Sequence, residues 1–245
     1  MAKQSLARPL SVLLTRPLEQ GQALARRLDE RFGGQVEPIL SPLMAPVFLA
    51  PTLLTGEFDA VIFTSATGVA AAMTLNLALP GRAFCVGRQT AKTASAAGFT
   101  ASSTDGDAEA LLASLLADPP KGRLLHLRGE EARGNLAQRL TKAGVPAEDL
   151  VIYRQDPQPL DPRAVALLRA ADPVILPLFS PRSAVLMAKA LPSGMNAPLY
   201  LAALSPSVGE LAAAIPHAAL ITAARPDADA MLDAVATLIV AASPP

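Results

Sequence analysis

An α/β fold, with parallel strands covered on both faces by helices, is predicted for this chain by three observations. Short apolar runs alternate with longer segments whose apolar residues recur at helical spacing. Each strand-like run is followed by a helical pattern, usually across a loop of small, polar or flexible residues. The first part of the chain also resembles a later part, so the alternation is written twice. Strands and helices that alternate in this way build parallel sheets.

The elements read in order as follows. SVLLT (11–15) is the first strand, and in the helical LEQGQALARRLDERF the residues Leu18, Ala25, Leu28 and Phe32 share a face. QVEPILSPLMAPV (35–47) is proline-rich and poor in helix formers, so it reads as a linker. AVIFT (60–64) and AFCV (83–86) are strands that run into TSATG (64–68) and VGRQT (86–90), each opening a helix. RLLHL (123–127) precedes EEARGNLAQRLTKAG, expected to be helical up to a C-cap at Gly144. AEDLVIYRQDPQPLDP (147–162) begins extended, ends in prolines and has linker character. VILPLF (174–179), LYLAAL (199–204) and AALITA (218–223) are the remaining strands.

The duplication is specific at single residues. LLTRPLEQGQALARRLDERFGG resembles LHLRGEEARGNLAQRLTKAG, with Arg16, Leu24 and Leu28 matching Arg128, Leu136 and Leu140. FTSATGVAAAM resembles FSPRSAVLMAK, and GDAEALLASLL resembles PDADAMLDAVA. Two similar α/β units follow, and a cleft between two such units is a natural ligand site.

Composition removes several function classes. No apolar run in the 245 residues approaches the ~20 needed for a membrane span, although 51% of the residues are hydrophobic. Net charge is zero and no basic, aromatic-interleaved patch occurs, which argues against nucleic acid as a partner. A single cysteine, Cys85, excludes an internal disulfide, and with only two histidines an all-protein zinc site is not expected. The amino-terminal stretch lacks a signal peptide's apolar core, and with the cysteine usage this gives a cytoplasmic expectation. The G-x-G-x-x-G, P-loop and G-x-S-x-G patterns are missing. His126 lies within an apolar strand, His217 beside a proline and Cys85 inside AFCVG, and all three read as structural.

What remains is a set of loops that follow strands: 15–17, 64–68, 86–90, 127–131, 179–183 and 204–208. In a parallel α/β sheet these gather at the carboxyl ends of the strands, where ligands bind. Each opens a helix whose first N–H groups favour negative charge. The loops carry Arg16, Arg88, Arg128 and Arg182 against the acids Glu130 and Glu131. Taken singly each loop is a helix cap; taken together they read as an anion-binding rim.

In this setting the ordered series VLLTRP, FTSATGV, VGRQTAKTASAAGF, LLHLRG followed by Arg133, VIYR, FSPRSA and ARPDADAML resembles the uroporphyrinogen-III synthase family over nearly the whole chain. The resemblance implies two flavodoxin-like parallel-sheet domains joined by a two-stranded linker, with the active-site cleft between them. Residues 1–36 with 157–245 would form one domain and 40–150 the other, with linkers near 35–41 and 150–157. It implies cyclisation of the linear tetrapyrrole hydroxymethylbilane to uroporphyrinogen III, with loss of the terminal hydroxyl and inversion of ring D. The route would pass through an azafulvene and a spiro-pyrrolenine. It further implies a lyase that needs no cofactor and no metal, works as a cytoplasmic monomer and makes transient contact with the preceding pathway enzyme.

The site residues carry over as follows. Tyr153 matches the tyrosine of the family's second linker and would protonate the departing hydroxyl; by its residue type alone it is equally a packed ring with a wet hydroxyl. Thr90 matches the family's cleft threonine. Ser65, Thr67, Ser180 and Ser183 are expected carboxylate contacts, with Thr67 standing where the family usually has asparagine. Thr15, Arg16, Gly68, Gly87, Gly129 and Ser207 complete the expected substrate-binding loops, and Val208 stands where threonine is common. Arg128 and Arg182 either pair with substrate carboxylates or lie on solvated rims. The alternatives are a non-catalytic two-domain binder of an anionic small molecule and an unrelated nucleotide-dependent α/β enzyme.

Overall fold

The computed structural model describes residues 8–52, 56–104, 106–132 and 134–243, so Arg133 lies outside the described residues. The chain opens with β1 (Leu10–Leu14), α1 (Leu18–Phe32), β2 (Val36–Leu40) and β3 (Met44–Phe48). It continues with β4 (Ala60–Phe63), α2 (Ala66–Thr74), β5 (Arg82–Cys85), α3 (Arg88–Ala96), β6 (Thr100–Ser103) and α4 (Ala108–Ala117). Then come β7 (Leu124–Gly129), α5 (Leu136–Lys142), β8 (Ala147–Pro157) and α6 (Pro162–Arg169). The last elements are β9 (Val174–Leu178), α7 (Pro181–Ala190), β10 (Leu199–Ala203), α8 (Pro206–Ala212), β11 (Ala219–Thr222) and α9 (Ala228–Ala242).

These elements divide into two compact units, one up to Ala45 and from Pro157 onward, the other Pro46–Asp156. The first holds a five-stranded sheet in the order β11-β10-β9-β1-β2, parallel throughout. Its strands are nearly continuous apolar runs because helices cover both faces. One face, with Leu13, Leu176 and Leu201, packs under α6, α7 and α8 through residues such as Leu168, Met187 and Val208. The other, with Val12, Leu14 and Ile175, packs under α1 and α9 through Leu24, Leu28, Val235 and Leu238.

The second unit repeats this plan. Its sheet runs β3-β8-β7-β4-β5-β6, and the pairs from β8 to β6 are parallel. Val61, Phe63 and Leu127 face Val69 and Ala72 of α2 and Ala94 of α3. Ala60, Ile62 and Leu124 face Leu111 and Leu115 of α4 and Leu136 and Leu140 of α5. The spatial series β2-β1-β9-β10-β11 thus recurs as β8-β7-β4-β5-β6. The matching residues do matching work: Leu24 and Leu28 of α1, and Leu136 and Leu140 of α5, are all buried. Ser65 and Ser180 both cap their helices by accepting from the backbone N–H three residues on. Asp107 and Asp227 cap α4 and α9 in the same manner.

The two segments read as linkers are extended, containing β2, β3 and β8, and Val36 and Ile39 of β2 are buried and pair with β1, despite Pro38. An edge position tolerates that proline because the N–H it lacks can face away from the ladder. β6, made of Thr100–Ser103, carries no apolar strand signal because its polar residues form an edge with little burial. α5 begins at Leu136, not at Glu130; Gly134 and Asn135 have positive φ and end any helical path from Glu130. No helix among the described residues is long and apolar enough to cross a membrane.

Leu28→Ala and Leu140→Ala remove fully buried side chains from equivalent places in the two units. Each should lower the free energy of unfolding by about 3 kcal/mol in urea denaturation. Val240→Ala, at a position 77% exposed, should change it by less than about 0.5 kcal/mol.

Candidate functional site

In each sheet the chain reverses its direction of travel at one strand pair, β1 beside β9 and β7 beside β4. The loops after the two strands there lead to helices on opposite faces, which opens a crevice at the carboxyl ends. In the second unit this point is occupied by Tyr153. The residue lies on β8 and is 9% exposed. Its phenol oxygen reaches past β7 to the loop after β4, where it shares a 2.9 Å hydrogen bond with Ser65 Oγ. Ser65 Oγ also accepts from the Gly68 N–H at 3.2 Å, the cap of α2. One serine therefore anchors both the helix start and the phenol.

Gly129 and Gly68 give this corner its closeness. Gly129 ends β7 directly under the Tyr153 ring. A Cβ on Gly68 would sit 3.2 Å from the Leu127 carbonyl, so glycine lets α2 settle onto β7. Thr67 is half-buried in the first turn of α2. Gly87 caps α3 without a side-chain hydrogen bond, and Thr90 is buried in that helix's first turn.

Arg128 has a different occupation. Its guanidinium donates to the carbonyls of Gly129 (3.3 Å) and Ala132 (3.2 Å). Its Nε lies 3.5 Å from Asp149 Oδ1. The same oxygen lies 2.7 Å from Nδ1 of the buried His126, whose Nε2 has no partner. Arg128 thus ties the β7–α5 loop to the sheet. Burial pushes the Asp149 carboxyl up, but the hydrogen bond from His126 and the charges of His126 and Arg128 outweigh it and hold the pKa below the ordinary 3.8.

In the first unit the corresponding loops gather Thr15, Arg16, Phe179, Ser180 and Ser183. The Arg16 guanidinium stacks over the Phe179 ring at 3.9 Å and donates to Gln20 Oε1 at 2.9 Å. Burial lowers its pKa. Ser180 and Ser183 form a reciprocal capping box at the start of α7. Thr15 is 1% exposed and its Oγ1 has no partner. Arg182 lies in the first turn of α7. Ser207 is exposed at the start of α8 and bonded to Ser205 Oγ at 3.0 Å. Val208, beside it, is core, which explains its missing hydroxyl.

The conventional reactive groups are withdrawn. Cys85 is buried in β5 and burial pushes its thiol up to about 11. His217 Nδ1 is held to the Ile215 carbonyl at 2.6 Å. Among the described residues no three His, Cys, Asp or Glu side chains converge to hold a metal. A cavity of about 600 Å³ opens at the opposite, amino end of the first sheet, lined by Leu10, Ile39, Arg163, Leu167 and Asp172. It contains none of the loop residues named above. Ser65 and Tyr153 lie 88 residues apart, and no local sequence pattern links them.

A family model described as Uroporphyrinogen-III synthase HemD matches residues 22–233. Among solved structures, the uroporphyrinogen-III synthetase from Helicobacter pylori 26695 is similar in fold, with a TM-score of 0.63 and 17% identity. That match covers 94% of this chain and 99% of the other. Two structures of uroporphyrinogen III synthase from the extreme thermophile Thermus thermophilus match at 17% and 19% identity, with TM-scores of 0.44 and 0.38. They cover 95% of this chain in both cases and 99% and 97% of theirs. No protein with a curated description matches the sequence.

The Asp149 cluster gives a pH test. A carboxylate whose folded pKa lies below its unfolded value stabilises above about 3.8 and loses that contribution as pH falls through the folded pKa. Asp149→Asn should therefore be less stable than the parent at neutral pH. In urea unfolding followed at decreasing pH the gap should close below that value; a gap that widens in acid would refute the pairing.

Proposed function

The chain belongs to the uroporphyrinogen-III synthase family, and from that premise we propose how its residues close hydroxymethylbilane to uroporphyrinogen III with inversion of ring D. The observation that carries the proposal is the Tyr153 phenol, nearly buried, at the carboxyl end of the second sheet and hydrogen-bonded to Ser65. Tyr153 is the acid. Its O–H protonates the terminal hydroxyl, which departs as water while the adjoining pyrrole nitrogen supplies electrons and becomes the azafulvene. The substituted carbon of ring D attacks that electrophile to give the spiro intermediate. Rearrangement inverts ring D, and the proton lost when the ring regains aromaticity returns to the phenolate. Because water is expelled as the ring closes, the enzyme is a cyclising lyase.

The electrophile is made within the substrate, so the protein has no need of a nucleophile of its own. Holding the chain with ring D against the reacting carbon is catalysis by proximity and orientation. The substrate carries eight carboxylates, suited to helix starts with cationic neighbours. On this reading Arg16, Arg182, Thr15, Ser180, Ser183 and Ser207 serve that purpose in the first unit. Thr67, Thr90 and the backbone at Gly68 and Gly87 serve it in the second. Arg16 is pre-oriented by its stack on Phe179. Ser65 and Gly129 serve Tyr153 instead, and Arg128 holds the loop beside it.

A monomer in the cytoplasm suits this chemistry, with transient contact with the preceding enzyme, because the linear substrate closes spontaneously to the other isomer if left free. Tyr153→Phe should keep the fold and lower kcat for hydroxymethylbilane by about 100-fold, the usual contribution of a positioned acid, in a single-turnover assay. An unchanged kcat would remove Tyr153 from the mechanism.

A further inference from the structure

β7 and β8 run in steady register from Leu124 opposite Ala147 to Arg128 opposite Val151. There the register shifts, and Gly129 comes to lie opposite Tyr153. β8 therefore carries one extra residue at this point, a bulge of the kind that re-aims a side chain. The bulge is fixed from below by the Glu130 N–H, which donates to the Tyr153 carbonyl at 2.9 Å. The far end of the ring is fixed by Ser65 Oγ.

The space between these two anchors exists because residue 129 has no side chain. A Cβ there would lie 2.7 Å from both Cε2 and Cζ of Tyr153 and 3.0 Å from its hydroxyl oxygen. Neighbouring heavy atoms of this kind do not approach so closely; carbon–carbon contact is optimal at about 3.5–4.0 Å. Gly129 does not have the positive φ of Gly87 or Gly134. Its backbone conformation is open to other residues, so the demand for glycine comes from the ring above it.

We infer that Gly129 is a positioning residue for the Tyr153 acid, leaving the room in which the phenol crosses β7 to reach Ser65. The inference rests on the reading of Tyr153 as the acid. A methyl group at position 129 lifts the ring, lengthens the bond to Ser65 and turns the phenol away from the departing hydroxyl. The bulge and the glycine work together: the bulge turns the side chain toward β4, and the glycine lets it lie flat.

The test uses the full chain. Gly129→Ala, Tyr153→Phe and the double variant are assayed for kcat and KM with hydroxymethylbilane. Gly129→Ala should lower kcat between about 10- and 100-fold, the effect of misplacing a reacting group by about an ångström, with KM within about twofold. In the Tyr153→Phe background it should change kcat by less than about twofold, since both substitutions remove the same interaction. An equal loss in both backgrounds overturns the proposal.

Optical measurement reads the ring directly. The chain has no tryptophan and two tyrosines, so in a Tyr200→Phe background the tyrosine near-UV circular dichroism belongs to Tyr153. Gly129→Ala should weaken that signal toward that of a free phenol while the far-UV spectrum holds; an unchanged signal overturns the proposal. If the optical signal changes but Tyr153→Phe leaves kcat intact, the acid assignment is what fails, and the catalytic role of Gly129 falls with it. Should Gly129→Ala not fold, Gly129→Ala with Tyr153→Ala decides. Recovery of the fold shows that the ring was the obstacle, and continued failure shows that the backbone needs glycine for another reason.

Discussion

Each unit depends on one parallel strand pair, β1 beside β9 and β7 beside β4, sealed by helices on both faces. Val12, Leu13 and Ile175 in one pair, and Ile62, Phe63 and Leu124 in the other, are fully buried. Neither strand of such a pair can follow the other through a tight turn, because parallel neighbours need a crossover. The crossovers leave toward opposite faces and part at the carboxyl ends, where the loops carry the chemistry. In the first unit the helices of that crevice start at Leu18 and Pro181, and in the second at Ala66 and Leu136. The positions of Thr15, Arg16, Ser65, Thr67, Gly129, Ser180 and Ser183 follow from this constraint, while Gly87, Thr90 and Ser207 lie one strand further out, after β5 and β10.

Much of this was legible in the sequence. The central strands are apolar on both faces, and their signal does not depend on tertiary context. The repeat was equally plain, and Leu28 and Leu140 are core in both units for the reason their spacing suggested. The edges were harder. Val36–Leu40 and Thr100–Ser103 carry a proline or hydroxyl residues because an edge is half solvated, so they resemble linkers and loops. The stretch between β7 and α5 looks helical by composition, and Gly134 and Asn135 end that path through a backbone conformation that pattern reading does not register.

The site was legible as a list of loops but not as a set of partnerships. Ser65 reads from the sequence as a substrate contact, and the fold adds that its oxygen also holds Gly68 and Tyr153. Arg128 was one of four rim arginines, yet it is turned onto Gly129, Ala132 and Asp149. Both assignments depend on contacts between distant parts of the chain, which a single sequence does not encode locally. The rim is also less uniformly cationic than the loops suggested, because Asp107 and Asp227 cap α4 and α9 at the same ends of the sheets.

The central claim is that these loops and one phenol direct ring closure by positioning, without a nucleophile or a cofactor. The most direct measurement is the isomer composition of the product formed from hydroxymethylbilane by the purified chain, with nothing else added. The account predicts the type III isomer, formed well above the rate of spontaneous closure. Type I product alone, at the spontaneous rate, would contradict it.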